Sequence, residues 1–442
     1  MKAYSLIIIL FASIAVGSAQ GPVRLDLRQA MDMAARQSYQ VQVSQLEADK
    51  ARKQISEVLA AGLPQINGSV SLQNYLDVPT QVVPNFFGGE PELLEIQFGV
   101  PWTASAGVRL DQLIFDGSYL LGLKAAHEVR KRSDEELELN MMNARVQAAK
   151  AYYGVLAADE GARLVGESLP LLERSVNEST AMSEAGFIEG IDVDRLKIEL
   201  AQARDQHMIF QKQAELARNF LKFVLGIPVA TPIELADELR TLIDDPAEAA
   251  LADEAFDAAQ HIENQMANTL LRIQTLNMRN GRAAYLPSLS GFFAHQQQWN
   301  ATEFEPFGGP IPWFPATLWG VNLNIPIFSS GARASRYSQA KIALEQAEIN
   351  RTLTEERLRL DHFQRQSDVI AAQQLYENEV ERLELSKNIF DRTSLKFTEG
   401  VASSFELTQE QGNYLRAQQQ YIQRVMELVN ARAELRRALD RF

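Results

Sequence analysis

The residues of this chain best placed to do chemistry are carboxylates set at a repeated spacing. Asp192 follows Gly186 by six residues, and Glu406 follows Gly400 by six. An aliphatic residue comes next in each case, Val193 and Leu407. Glycine ends a helix readily because it enters the left-handed backbone region without a Cβ penalty. Each carboxylate then falls in the first turn of a following helix, where the positive end of the helix dipole favours it. Gln409 and Glu410 extend the second set. Covalent and acid–base chemistry have no such constellation. His127, His207, His261, His295 and His362 are scattered, and no HExxH, GxSxG, GxxxxGK or GxGxxG pattern occurs. The paired carboxylates elsewhere read as solvated helix faces. Neither an enzymatic role nor a metal or other cofactor is expected.

The elements that must carry these residues belong to an exported protein. Lys2 is followed by an apolar run from Leu6 to Val16 and by the small residues Gly17-Ser18-Ala19 before Gln20. That is the order of a secretory leader, expected to occupy residues 1–19. The apolar run is about 11 residues, short of the roughly 20 that a helix needs to span a bilayer. No later stretch is apolar enough for a membrane helix, so a place in a membrane requires a β-barrel, whose backbone groups pair with one another. The absence of cysteine excludes disulfides and a lipidated cysteine anchor. A net charge of −14 disfavours nucleic acid as a partner.

The chain repeats itself. Leu63-Pro64-Gln65-Ile66 returns as Leu286-Pro287-Ser288-Leu289, and Ile114-Phe115-Asp116-Gly117 returns loosely as Ile327-Phe328-Ser329-Ser330-Gly331. The glycine–carboxylate pairs follow in the same order. Each half reads as helix, strand, loop, strand, long helix, tip, helix, which makes duplication the simplest account.

The helices are long and carry a 3.5-residue period. Residues 332–399 contain neither Pro nor Gly, enough for roughly 100 Å of helix. The matching stretch of the first half is interrupted by Pro170, where a kink or break is expected. Leu407, Tyr414, Tyr421, Leu428 and Leu435 recur every seven residues, as do Val193, Leu200, His207, Ala214 and Leu221. Such a period marks helices packed side by side as coiled coils. Gln411 and Gln418 lie near this seam. The strands have period two: Ile66, Gly68, Val70 and Leu72 alternate with Asn67, Ser69 and Ser71, and Trp319, Val321, Leu323, Ile325 and Ile327 alternate with Gly320, Asn322, Asn324 and Pro326. One apolar and one polar face suits either a half-buried sheet or a transmembrane barrel. The companion segments, 106–115 and 288–297, alternate less cleanly. The loops between strands carry Pro79, Pro84, Phe86, Phe87, Gly88, Gly89, Pro91, Pro101 and Trp102 in one half, and Pro306, Phe307, Gly308, Gly309, Pro310, Pro312, Trp313 and Pro315 in the other. Such runs exclude helix and inner strand, and tryptophans near strand ends suit a membrane interface.

The twofold repeat, the Leu-Pro-x-Ile/Leu junction, the Phe-Asp/Ser-Gly corner and the glycine–carboxylate tips together resemble the TolC-like outer-membrane efflux proteins. The resemblance spans nearly all of the chain after the leader, and rests on the order and spacing of motifs that are individually unspecific. It implies a mostly α protein with a membrane β part: a twelve-stranded β-barrel shared by a trimer, four strands per chain, joined to a long α-helical barrel in the periplasm. Repeat 1 then covers 20–226, with strands at about 64–78 and 102–115 and helices at about 117–185 and 192–226. An inter-repeat linker or equatorial segment covers 227–250. Repeat 2 covers 251–442, with strands at about 287–300 and 316–328 and helices at about 331–399 and 404–440. Segments after Leu25 and Leu251 resemble the family's repeat openings, with Ser38-Tyr39 where Asn-Pro is common.

The resemblance also assigns roles. Asp192, Glu406, Gln409 and Glu410 fall where the family lines a periplasmic gate, and threefold symmetry would turn Glu406 and Glu410 into a cation-selecting ring. The best-known member of the family has two aspartates three apart in its second tip, where this chain has Glu406 and Gln409, with Glu410 adjacent. That member's lock joins the first-tip aspartate to an arginine and a tyrosine, positions held here by Ala402 and Phe397, which can form neither bond. Gly186, Gly190, Gly400, Ser403 and Ser404 are the expected contacts of a periplasmic adaptor protein. The implied function is a passive export duct for small molecules, working with that adaptor and an inner-membrane transporter of the RND or ABC type. The outer-membrane part of type I protein secretion is the alternative within the family, and a periplasmic coiled-coil scaffold or adhesin is the alternative outside it. Four strands cannot close a useful barrel and open edges are excluded from lipid, so a membrane sheet of this kind requires an oligomer. A heat-modifiable, detergent-resistant trimer in the outer-membrane fraction is therefore expected on semi-native gels. A freely soluble periplasmic monomer would exclude the channel.

Overall fold

The computed structural model describes residues 23–85, 88, 93–307, 309 and 311–441. The leader expected at 1–19, the mature start near Gln20, and loop residues Phe86, Phe87, Gly89, Pro91, Gly308 and Pro310 lie outside the described residues. In chain order the elements are β1 (Val23–Leu25), α1 (Leu27–Gln37), α2 (Tyr39–Ala60), β2 (Gln65–Asn74), β3 (Thr80–Pro84), β4 (Leu93–Gln97), β5 (Trp102–Phe115), α3 (Gly117–Glu184) and α4 (Gly190–Leu225). They continue with β6 (Ile233–Leu235), α5 (Leu239–Ile243), α6 (Pro246–Ala249), a 3-10 turn (Ala250–Asp253), α7 (Ile262–Ala283), β7 (Ser288–Ala301), β8 (Phe314–Asn324), α8 (Ala332–Thr398) and α9 (Ser404–Ala438). Two compact units result, each drawing on both halves of the chain. One holds Ser44–Glu138 and Ala258–Arg357, and the other holds the chain through Val43, Leu139–Asp257 and everything from Leu358 on.

The first of these units is built on a four-stranded antiparallel sheet in the order β2-β5-β7-β8. Its register puts Ile66, Leu110, Phe293 and Trp319 side by side. Because strand side chains alternate, Val70, Leu72, Val321 and Leu323 share that face, and all four are exposed. The opposite face carries Ser71, Ser105 and Gln298 in one row and Ser69, Gly107 and Gln296 in another. Ser71 Oγ and Ser105 Oγ are 2.8 Å apart on it, and Arg109 Nε donates to Asp111 at 3.0 Å. The less clearly alternating segments are the two central strands. A bulge between Leu113 and Phe115 shifts the ladder there. At the loop end Trp299, Ala104 and Ala301 form a small core with Trp102, Ile311 and Trp313 against it.

Several boundaries differ from the sequence reading. The first strand stops at Asn74 rather than 78. The last runs Phe314–Asn324, so Ile325 and Ile327 lie beyond it; Pro326 supplies no N–H for a ladder. The proline-rich first loop contains an antiparallel ribbon, β3 with β4, in which Pro84 stands opposite Leu93 at one end. Each ribbon strand has one free edge, so the prolines are tolerated. The helix after the first tip begins at Gly190 rather than 192.

The second unit is helical. Its core follows the heptad rows: Leu407, Tyr414, Tyr421, Leu428 and Leu435 of α9 are all buried, as are Val193, Leu200, Ala214 and Leu221 of α4. His207 of that row is half-buried, its Nδ1 2.9 Å from Ala162 O. α3 continues through Pro170, so the expected break is absent. Val165, Ser168 and Leu172 around it are buried, and this packing holds the helix despite the lost N–H. The segment 227–250 is more than a linker. β6 pairs in parallel with β1, and Tyr152 of α3 donates to Asp237 Oδ2 at 2.9 Å, while Asp237 also accepts from Leu27 N–H at 2.8 Å.

Gly226 closes α4 with φ +71°. A Cβ there would stand 2.2 Å from Gln37 O and 3.1 Å from Ser38 Cα, at the junction of α1 and α2. Gly226→Ala is expected to cost about 2 kcal/mol or more, combining a left-handed backbone with a steric clash, and to lower the thermal unfolding midpoint. An unchanged midpoint would show that the α1–α2 junction can move aside.

Candidate functional site

The two helix–helix tips are built by one device. After α3, Gly186 takes φ +81°, its N–H donates to Ser183 O, and Phe187 N–H reaches back to Met182 O at 2.9 Å. After α8, Gly400 takes φ +75°, its N–H donates to Phe397 O, and Val401 N–H reaches back to Lys396 O at 2.8 Å. This is the Schellman arrangement, which satisfies the last carbonyls of a helix and requires a residue without a Cβ penalty at the turn. A side chain at Gly186, Gly190 or Gly400 would meet nothing within 4 Å. Gly186 and Gly400 are therefore required by backbone conformation. Gly190 is in α4 and is required by neither conformation nor packing within the described residues.

The caps that follow differ. Ser403 begins α9 with a reciprocal capping box: its Oγ accepts from Glu406 N–H at 3.2 Å, and Glu406 Oε2 accepts from Ser403 N–H at 3.0 Å. The equivalent position before α4 is Glu189, which makes no side-chain cap bond. Asp192, equivalent to Glu406, instead pairs with Arg195 of its own helix at 3.3 Å. The Asp192 carboxylate thus has a partner one turn along α4 rather than on the second tip. Of the expected lock positions, Phe397 is buried.

Gln409 is exposed on α9. Glu410 is half-buried, accepts from Asn413 Nδ2 at 3.1 Å, and lines a groove between α8 and α9 with Arg382 and Arg416. Glu199 of α4 approaches Gly412 of α9. Burial raises its pKa above the ordinary carboxylate range, and nearby Arg416 opposes that rise. Deeper along α9, Gln418 Nε2 donates to Leu164 O at 3.1 Å and to Ser168 Oγ at 3.2 Å, while Phe390 and Tyr414 stack with ring centres 5.7 Å apart.

Two features of the tips change the sequence reading. Ser404 is only 7% exposed, so the small residue expected to meet a partner is covered by its own protomer. Large apolar groups are exposed beside the polar ones: Phe187 at 82% and Val401 at 73%, with Ile191 and Phe405 also exposed. These four occupy matching positions in the two halves, so the glycine–carboxylate repeat already contained the signal. Among the described residues no group of three or more His, Cys, Asp or Glu side chains could hold a metal ion, and no helix is long and apolar enough to cross a membrane.

Comparison with known proteins agrees with this architecture. The sequence model of a family described as outer membrane efflux protein matches residues 30–227 and 265–441. The probable efflux pump outer membrane protein TtgC of Pseudomonas putida is 24% identical over 348 residues, covering 76% of this chain and 69% of that protein. Among solved structures, CusC superposes with a TM-score of 0.72 at 15% identity, covering 93% of this chain and 91% of that one. The CmeC outer membrane channel of Campylobacter jejuni gives 0.71 at 16% identity, with 93% and 85% covered. At such identities the structural likeness speaks for the fold. The family match spans most of the chain, in two segments that each end in a tip and its following helix. The chain belongs to the outer membrane efflux protein family, the TolC-like group that its tips and junctions resemble.

Proposed function

We propose that three copies of this chain close a twelve-stranded barrel in the outer membrane and continue as a helical duct into the periplasm. The protein then serves as a passive export channel for small molecules. The observation that carries this reading is the four-stranded sheet. β2 and β8 are open edges, and most of one face, with Ile66, Val70, Leu72, Phe293, Trp319, Val321 and Leu323 exposed, is uncovered among the described residues. Lipid is the solvent that suits such a face, and closure with further copies is what suits such edges. The helices support the same assembly. Ile342, Ile349 and Leu353 of α8 are exposed in one unit, and Leu360, Phe363 and Ile370 in the other, all at heptad-related spacings. An uncovered apolar row of this period fits the flank of a neighbouring copy.

Related proteins are described as toluene and antibiotic efflux pump outer membrane proteins, which favours small organic molecules as cargo. Such a duct works with a periplasmic adaptor and an inner-membrane transporter of the RND or ABC type. The chain would then be two repeats, 20–226 and 251–442, joined by 227–250. The twice-used element order and the two-part family match support that division. Gly186, Gly190, Gly400 and Ser403, with the exposed Phe187, Ile191, Val401 and Phe405, form the adaptor-facing tips. Asp192, Glu406, Gln409 and Glu410 line the periplasmic aperture, where the carboxylates of three copies favour cations.

Recording in planar bilayers tests the channel and its gate. Discrete conductance steps are expected from the purified trimer, and their absence would overturn the channel. Glu406→Gln keeps the capping bond, since glutamine serves equally at that position, but removes the charge. Combined with Glu410→Gln it is expected to lower cation-over-anion selectivity several-fold. Unchanged selectivity would leave both residues as structural groups only. Asp192→Ala is expected to change conductance little, because it loses one partly exposed pair within a helix, worth about 0.3–0.5 kcal/mol. A large rise in conductance would reveal a locking partner on another copy.

A further inference from the structure

The four-stranded sheet is almost free of charge. The chain has 43 Lys and Arg and 57 Asp and Glu residues, yet β2, β5, β7 and β8 hold only Arg109 and Asp111 among them. Both lie on β5, two residues apart, so they share a face. The register puts Arg109 beside Asn67 and Ala294, and Asp111 beside Gln65 and Phe292. That is the polar face, opposite to the one of Ile66, Leu110, Phe293 and Trp319. The guanidinium of Arg109 is fixed there. Its Nε donates to Asp111 at 3.0 Å, its Nη2 stands 2.9 Å from Asp111 Oδ1, and its Cζ lies 4.5 Å from the centre of the Phe292 ring. The ring needs Gly320 beside it on β8, where a Cβ would stand 2.9 Å from its atoms. Both charged side chains remain nearly half exposed. Such a pair contributes little to stability, so stability does not explain why the one ion pair of the sheet sits here.

The loops that join the strands of each pair, 75–101 and 302–313, carry Asp77, Glu95, Glu303 and Glu305 and no Lys or Arg. Arg109 is therefore the one cation of the sheet and its joining loops. In the barrel reading, on which this inference rests, the polar face lines a water-filled lumen and three copies bring three such pairs to one level. A charge on the wall of a narrow passage acts on every ion that passes, and a ring of like charges selects among them. Three bare guanidinium groups at one level would be a barrier to cations that the acidic loops attract. Asp111 cancels each of them at contact distance. We infer that Asp111 is a specificity-determining residue of the duct: it holds the barrel lumen electrically neutral, so that organic cations pass the strands as readily as neutral cargo. Charge selection is then left to the acidic loops and tips. Phe292 and Gly320 serve the same end by seating the guanidinium against the wall, where the carboxylate can reach it.

The test is the reversal potential of the purified full-length protein in planar bilayers under a potassium chloride gradient at low ionic strength, where screening is weakest. Asp111→Asn bares the guanidinium groups and is expected to lower the cation-over-anion permeability ratio several-fold. Arg109→Gln bares the carboxylates and is expected to raise it several-fold. The double variant is expected to return to the original ratio. Because the chain has no cysteine, Arg109→Cys allows a second measurement. A cationic thiol reagent should restore the original ratio, and an anionic one should raise it beyond that of Arg109→Gln. This variant decides the matter if Asp111→Asn does not assemble. Unchanged ratios, shifts of one sign in both single variants, or thiol reagents that leave the ratio unmoved would each overturn the role of Asp111, while the conductance steps themselves keep the channel reading. Absence of conductance from the unaltered protein would overturn both.

Discussion

The seam of α9 is the interaction on which the helical unit depends. Leu407, Tyr414, Tyr421, Leu428 and Leu435 recur every seven residues and are all buried, so one face of a single helix is covered from the tip to the C-terminal turn. Four elements use that face or its flanks. Tyr376 and Phe390 of α8 meet Tyr421 and Tyr414, α3 receives Gln418 through Leu164 and Ser168, and Glu199 of α4 lies against Gly412. Near the other end Arg432 and Arg436 hold the segment 239–253. Polar groups at seam spacing are costly when unpaired and specific when paired. Gln418 fits α9 to one register of α3, and Arg432 does the same for the segment 239–253.

The two tips show how one backbone solution carries different side-chain chemistry. The left-handed glycines and the bonds across them match position by position, because helix termination poses the same problem twice. The following carboxylates then diverge. Glu406 is held by the backbone of Ser403, whereas Asp192 finds Arg195. A carboxylate fixed to its own helix terminus is rigid and its charge is partly offset by the dipole. One paired to a surface arginine is held only weakly. The tips thus present one fixed and one loosely held carboxylate together with the exposed Phe187, Ile191, Val401 and Phe405.

The sheet meets an opposite constraint. Its four strands satisfy each other's backbone in the middle and leave β2 and β8 open. The clearest alternation lies on those outer strands. The central β5 and β7 carry a bulge and Phe292 under Arg109 on the polar face, and His295 of β7 is bonded to Thr317 of β8 at 2.7 Å on the apolar one. Central strands have ladder partners on both sides that hold their register, so their side-chain pattern is freer than that of a strand facing solvent or lipid.

Much of this was legible in the residues. Period 3.5 and period two are local properties, and the length of the helices, the twin strand pairs and the glycine turns followed from them. The resemblance to the efflux family rested on the same repeats. What the residues left open was decided by packing. The ribbon of β3 and β4 lies among prolines that read as plain loop, and it exists because a two-stranded ribbon leaves a free edge to each strand. Pro170 reads as a break, yet neighbouring helices hold α3 continuous through it. Ser404 reads as a surface contact and is covered, and Arg432 of α9 is buried against Ile243 O and Gln373 Oε1. Sequence determined which segments are helix or strand and where they turn, because those depend on neighbours a few residues away. Tertiary structure alone decided which polar groups lost their water, because that depends on chain brought from more than a hundred residues away.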